Sequence, residues 1–214
     1  MIGFFNLKTV VLVIAVILFF NYINKDDFNE EELVSIPMDT KILAFGDSIT
    51  QGYRVAKNDS YPSQLSNLLH VDVTNAGVSA EVSQEGLRRL KKILETSKPN
   101  ILLLCEGGND ILRKQDLKKT KENLAKMIRF AQEKNIYVIL IGVPELGLLN
   151  LQTASLYQEL ADEFQIPLDS SLEDILNDSD LKVDNVHPNK KGYEILSKSL
   201  ATLISQNYLP SYSF

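Results

Sequence analysis

The sequence predicts an α/β protein of three layers: a five-stranded, mainly parallel sheet covered by helices on both faces, and preceded by an N-terminal hydrophobic helix. Two observations carry this. From Lys41 onward, short apolar runs alternate with longer segments of helical period, and the first apolar run, Thr9 to Phe20, is longer and less interrupted than any later one. Strand-sized runs alternating with amphipathic helices make βα repeats, whose crossovers keep the strands parallel and cover both sides of the sheet.

The run TVVLVIAVILFF follows Lys8 and the free amine and precedes the polar stretch NKDDFNEEE, the layout of a signal anchor or signal peptide over 1–23. Cleavage needs small residues just after the run, and here stand Phe19, Phe20, Asn21, Tyr22 and Ile23, so retention as an anchor is expected. Lys8 can snorkel to the interface, and the positive amino side places that end in the cytoplasm. The remainder then faces the periplasm or exterior, to which it would be secreted if the segment were cut. No Cys follows the run, which excludes a lipoprotein anchor; the alternative is a buried amphipathic or core helix, against which the lack of polar alternation within the run argues.

Residues 24–38 are acidic, end near Pro37 and read as a solvated linker, and 39–214 as the folded domain. Within it KILAFG reads as a strand, YPSQLSNLLH as a helix, VDVTNAG as a strand and SQEGLRRLKKILETS as a helix. In that helix Leu87, Leu90, Ile93 and Leu94 recur at three and four, one stripe for the sheet. NILLLCE, NIYVILIGVP and IPLDSS continue the strands, and LKKTKENLAKMIRFAQEKN, LQTASLYQELADEFQ and KKGYEILSKSLATLISQ the helices. No internal repeat or low-complexity tract is present.

Composition narrows the function. With 214 residues, 44% hydrophobic and 23% charged, the chain suits one globular domain. A net charge of -6 argues against nucleic acid, which requires a concentrated cationic face. Cys105 is the only cysteine, so no intrachain disulfide or cysteine metal cluster can form; His70 and His187 do not suffice for a multi-histidine site. No metal or other cofactor is expected, and the protein is expected to be a monomer.

In an open parallel sheet ligands bind at the carboxyl ends of the strands, so chemistry should follow the apolar runs. Gly46-Asp47-Ser48-Ile49-Thr50 follows the first, and by itself reads first as a helix N-cap. Gly107-Gly108-Asn109-Asp110 follows the third and by itself reads as a turn. Asp184-Asn185-Val186-His187 precedes the last helix; an Asp and His three apart can set the carboxylate against one ring nitrogen and leave the other outward, as a general base requires. Each signal alone is weak; together a nucleophile, an amide donor and a base fall at loops expected on one sheet edge, and the joint placement strengthens each. Cys105, inside a strand-like run, reads as a buried inert thiol, His70 as a helix C-terminal residue, and Glu106 as a solvated or locally hydrogen-bonded carboxylate.

GDSITQGYR, Tyr61-Pro62, NAGVSAEVSQEGLRRL, the segment from Gly107 to Arg113 and DNVHPN together resemble the SGNH, or GDSL, hydrolase superfamily, in particular its bacterial periplasmic thioesterase, lysophospholipase and arylesterase group. The resemblance spans nearly all of the chain from Lys41 and implies a flavodoxin-like sandwich. It implies Ser48 as nucleophile, Asp184 and His187 as the other triad members, and an oxyanion hole of the Ser48 amide, the Asn109 side chain and one further amide. One block departs from the pattern: a Gly-Asp pair is usual where this chain has Ala80-Glu81. The third donor is then the Ala80 amide, at a cost if its backbone is left-handed.

The expected activity is hydrolysis of acyl esters or thioesters through an acyl-enzyme, on a small-molecule or lipid ester. A cell-envelope carbohydrate O-acetylesterase or acyltransferase is the enzymatic alternative, and a binding protein with decayed chemistry the non-enzymatic one. GVPELGLLN is apolar and loop-like, as the wall of an acyl site would be, or as plain packing.

Overall fold

The computed structural model describes residues 36–146 and 150–208; the apolar run expected to be an anchor and residues 24–35 of the expected linker lie outside the described residues. Among the described residues no helix is long and apolar enough to cross a membrane. The chain divides into Met1–Leu33 and Val34–Phe214, and all the described residues belong to the second unit.

In chain order its elements are β1 (Lys41–Gly46), α1 (Ser48–Gln51), α2 (Tyr61–Leu69), β2 (Asp72–Gly77), α3 (Ser83–Thr96), β3 (Ile101–Cys105), α4 (Gly108–Leu112), α5 (Leu117–Gln132), β4 (Tyr137–Ile141), β5 (Pro144–Leu146), β6 (Leu151–Thr153), α6 (Ser155–Phe164), β7 (Leu168–Asp169), α7 (Ser171–Asn177) and α8 (Lys190–Asn207). Five strands form one sheet in the order β2-β1-β3-β4-β7, every pairing parallel. The fold is the α/β/α sandwich that the alternation predicts. Helices α2, α7 and α8 contact one another as one group, and α3, α5 and α6 as another.

β1 and β3 are buried almost end to end because helices cover both faces. The buried stripe of α3 runs through Gly86, Leu90 and Leu94. Ile36 is buried within the same core.

The first crossover leaves β1 for β2, and the next returns past β1 to β3. Neighbouring strands thus send their loops to opposite sides, and a crevice opens between the carboxyl ends of β1 and β3.

Three local expectations change. LQTASLYQELADEFQ is a strand followed by a helix, because Leu151–Thr153 pairs antiparallel with Pro144–Leu146. GVPELGLLN is therefore half of a β-hairpin, its residues 147–149 lying outside the described residues. SLEDILN, which no sequence pattern marks as an element, forms α7; seven residues are too few for a periodic signal.

Candidate active site

β1 ends on a residue that cannot carry a side chain. A Cβ on Gly46 would lie 2.2 Å from the Cys105 carbonyl oxygen and 2.3 Å from Thr50 Oγ1, so only glycine lets the chain turn against β3. Asp47 then caps α1, its Oδ1 accepting the Ile49 N–H at 3.0 Å. The cap is Asp47, and the adjacent Ser48 opens the helix at the carboxyl edge of the sheet.

Ser48 Oγ lies 2.9 Å from His187 Nε2. His187 Nδ1 lies 2.9 and 3.0 Å from the two carboxyl oxygens of Asp184. The loop is locked around this pair: Asp184 Oδ1 accepts the Val186 and His187 backbone N–H groups at 3.0 Å each, and Val183 N–H donates to the His187 carbonyl at 2.9 Å. Burial pushes the Asp184 carboxyl upward, but the Val186 N–H and the His187 ring outweigh it and hold the carboxyl below its ordinary value. An ionised carboxylate can only accept, so Nδ1 carries the hydrogen and Nε2 is left to accept from the Ser48 hydroxyl. The Tyr53 ring covers His187 at 4.7 Å between centroids, and Arg54 Nη1 stands 3.7 Å from Asp184 Oδ2.

Asn109 sits in α4, which starts after Gly107 at φ +100°, a left-handed value that glycine adopts without cost. Its Nδ2 donates to Asp47 Oδ2 at 3.0 Å and to the Glu81 carbonyl at 2.9 Å. Both side-chain N–H groups are therefore engaged, and a third acceptor would have to share one of them.

Ala80 lies at φ +64° in the turn Val78–Glu81, whose Glu81 N–H meets the Val78 carbonyl at 3.3 Å. Positive φ at the third residue is the pattern of a type II turn, which favours glycine there. Alanine pays about 1 kcal/mol for it. Its carbonyl accepts from Arg113 Nη2 at 2.9 Å. Among the described residues, neither the Ser48 nor the Ala80 amide N–H meets an acceptor.

Behind these groups lies a layer of acids to which the sequence motifs assign no role. Glu106, expected to be solvated or locally hydrogen-bonded, is fully buried, with the Gly107 N–H 3.3 Å from its Oε2 and no partner for Oε1. Burial, then the negative charges of Asp47 and Glu81, push its carboxyl well up. Burial likewise lifts Asp47 to about 6. Asp110 accepts from the Ser83 N–H at 2.8 Å, bonds Ser83 Oγ at 2.6 Å, and so ties α4 to α3. Glu81 is 6% exposed and paired with Arg89. Arg89 had a signal: it falls three residues after Gly86 and four before Ile93, toward the sheet-facing stripe of α3, where a cation needs a partner.

These buried acids make stability depend on pH. Asp47 binds its proton more tightly in the fold than in the unfolded chain. Its contribution to stability is complete below about pH 4 and is lost as pH rises through about 6, roughly 3 kcal/mol in all. Glu106 acts in the same direction. Urea unfolding should therefore show stability falling between pH 4.5 and 7, and falling less in Asp47→Asn; an equal fall in both would remove Asp47 as the cause.

Ser48, Asn109 and His187 line one cavity of about 260 Å³, walled by apolar residues including Ile111, Leu112, Val143, Leu151 and Val186. Part of the wall is the β5–β6 hairpin, through Pro144, Glu145 and Leu151. Ala80 does not line it; its turn is held to the same edge by the Val78 N–H, which donates to the Gly46 carbonyl at 2.9 Å. Cys105 is fully buried, and His70 ends α2 as its left-handed C-cap. Among the described residues no cluster of three or more His, Cys, Asp or Glu could hold a metal ion.

The model of the GDSL-like lipase/acylhydrolase family matches residues 44–195. The thioesterase 1/protease 1/lysophospholipase L1 of Escherichia coli (strain K12) is 29% identical over 168 residues, covering 75% of this chain and 81% of that protein. An arylesterase of Vibrio mimicus is 28% identical over 172 residues, covering 75% and 86%. The crystal structure of the esterase EstA from Pseudoalteromonas sp., inhibited by monoethylphosphonate, aligns with a TM-score of 0.69 at 26% identity, covering 78% of this chain and 98% of that one.

Proposed function

The chain belongs to the GDSL-like lipase/acylhydrolase family and is a serine hydrolase of ester bonds; on that premise we propose that Ser48 is its nucleophile, His187 its general base and Asp184 the acid that orients the base. The observation that carries this is the relay Ser48 Oγ, His187 Nε2 at 2.9 Å, and His187 Nδ1 against the Asp184 carboxylate at 2.9 Å.

In the first half-reaction Ser48 Oγ attacks the acyl carbon while His187 Nε2 takes its proton, and Asp184 stabilises the imidazolium. The oxyanion is met by the Ser48 and Ala80 amides, whose N–H groups meet no protein acceptor among the described residues, and by Asn109 Nδ2, which shares an N–H now given to Asp47 or Glu81. The C–O or C–S bond then breaks, and the leaving alcohol or thiol takes the proton from His187. In the second half-reaction His187 deprotonates a water that attacks the acyl-enzyme. The carboxylic acid leaves, and Ser48 recovers its proton.

The apolar cavity beside Ser48 makes an acyl chain of short to medium length the substrate part it receives, since a volume of about 260 Å³ is at the small end for a ligand site. Each methylene that enters should raise kcat/KM about fourfold, the equivalent of ~0.8 kcal/mol, until the cavity is full. A series of p-nitrophenyl esters from acetyl to dodecanoyl tests this. A rise followed by a plateau or fall is expected, whereas turnover of the acetyl ester alone would refute the acyl cavity and favour an O-acetylesterase.

A further inference from the structure

The turn Val78–Glu81 holds an alanine, Ala80, at positive φ, and it needs something to hold it. The turn carrying it is exposed at Val78, Ser79 and Ala80, so packing on its own side chains cannot do so. The next residue, Glu81, is buried, and its carboxylate is gripped by one guanidinium. Arg89 Nε lies 2.8 and 3.0 Å from its two oxygens, and Nη2 closes the fork.

The same guanidinium reaches two strand ends. Nη1 donates to the Ala76 carbonyl at 2.8 Å and Nη2 to the Gly46 carbonyl at 3.2 Å, while its carbon stands 3.9 Å from the centroid of the Phe45 ring. Glu81 extends the connection, because its backbone carbonyl accepts from Asn109 Nδ2 at 2.9 Å. Each of the three oxyanion donors is thereby connected to the pair. Ser48 lies two residues beyond Gly46, Ala80 is bonded to Glu81, and Asn109 donates to the Glu81 carbonyl.

We propose that Arg89 and Glu81 are positioning residues for the oxyanion hole. Their buried ion pair fixes the Val78–Glu81 turn so that Ala80 stays left-handed and presents its N–H, a conformation a glycine would reach without help. Releasing Glu81 lets Ala80 relax toward negative φ, which turns the Ser79–Ala80 peptide and withdraws the N–H. Neither side chain touches the reacting atoms. Planarity and the five-donor fork suit Arg to this role, since a Lys could make one of these contacts but not all.

This rests on the assignment of Ser48 as nucleophile, and the test separates the two. The full chain in detergent micelles is assayed on p-nitrophenyl butyrate as wild type, Ser48→Ala, Glu81→Gln, Arg89→Met and Arg89→Lys, with wild type and each clamp variant also carrying Ala80→Gly. Turnover that survives in Ser48→Ala overturns the nucleophile and the clamp together, and is seen without any clamp variant. With Ser48 established, Glu81→Gln and Arg89→Met are expected to lower kcat at least tenfold with KM within threefold. Ala80→Gly should then restore kcat at least fivefold in those backgrounds, and by a smaller factor in wild type. Arg89→Lys should fall between Arg89→Met and wild type. If Arg89→Met does not fold, Glu81→Gln, an isostere of unchanged size, carries the cycle. A loss confined to KM or to melting temperature, or a kcat that Ala80→Gly fails to restore, overturns the proposal.

Discussion

Ser48→Ala is expected to abolish the burst of acyl-enzyme and to lower kcat on p-nitrophenyl butyrate by about 10⁵-fold or more, the order seen when a serine-hydrolase nucleophile is removed. His187→Ala should cost about as much, because Ser48 Oγ has one basic partner, Nε2 at 2.9 Å, and is a weak nucleophile without it. The double variant should be no worse than either single one, since both remove the same step. Stopped-flow release of p-nitrophenolate measures the burst, and fluorophosphonate labelling reports the same serine independently. A burst that persists in Ser48→Ala would transfer the nucleophile elsewhere, and additive losses would mean that the two side chains act in separate steps.

Asn109→Ala should lower kcat by about 10² to 10³, the usual effect of deleting one oxyanion donor. The structure adds a second consequence. Asn109 Nδ2 is shared between Asp47 Oδ2 and the Glu81 carbonyl, so truncation leaves two acceptors without a donor, one of them on the fully buried Asp47. A stability loss of about 1 to 3 kcal/mol should accompany the kinetic one. Chemical denaturation at pH 7 measures the stability loss, and kcat below the midpoint temperature the kinetic one. If kcat stays within a factor of three while stability falls, Asn109 is a brace for Asp47 and Glu81 rather than a donor to the oxyanion.

The sheet was legible because its signals are local and repeated. KILAFG, NILLLC and YVILI are apolar without alternation, as strands covered on both faces must be, and they became β1, β3 and β4. The β5–β6 hairpin was not legible. Its strands are three residues each, too short for a period, and Leu151–Thr153 adjoins a true helix whose pattern absorbs it. At the candidate site, Ser48 and Asn109 were marked by residue type beside turns at strand ends, and Asp184 and His187 by their spacing in the loop before the last helix. Glu106 did not, because a carboxylate next to two glycines looks solvated until helices close over it.

By itself the sequence determined what neighbouring residues decide: the order of the five sheet strands and of the longer helices between them, the sheet edge on which polar loops gather, and the residue types able to carry acyl transfer. Tertiary structure alone decided which of these groups meet. Ser48 and His187 are 139 positions apart and come within 2.9 Å where the segment after β1 meets the loop before α8, as the Tyr53 ring over His187 also shows. Arg89 reaches Glu81, Ala76 and Gly46 at once only because α3 lies against the ends of β1 and β2. Burial belongs to the assembled surface, not to any residue. That is why a sequence can show Ala80 where a glycine is usual, while only the fold shows the ion pair beside it.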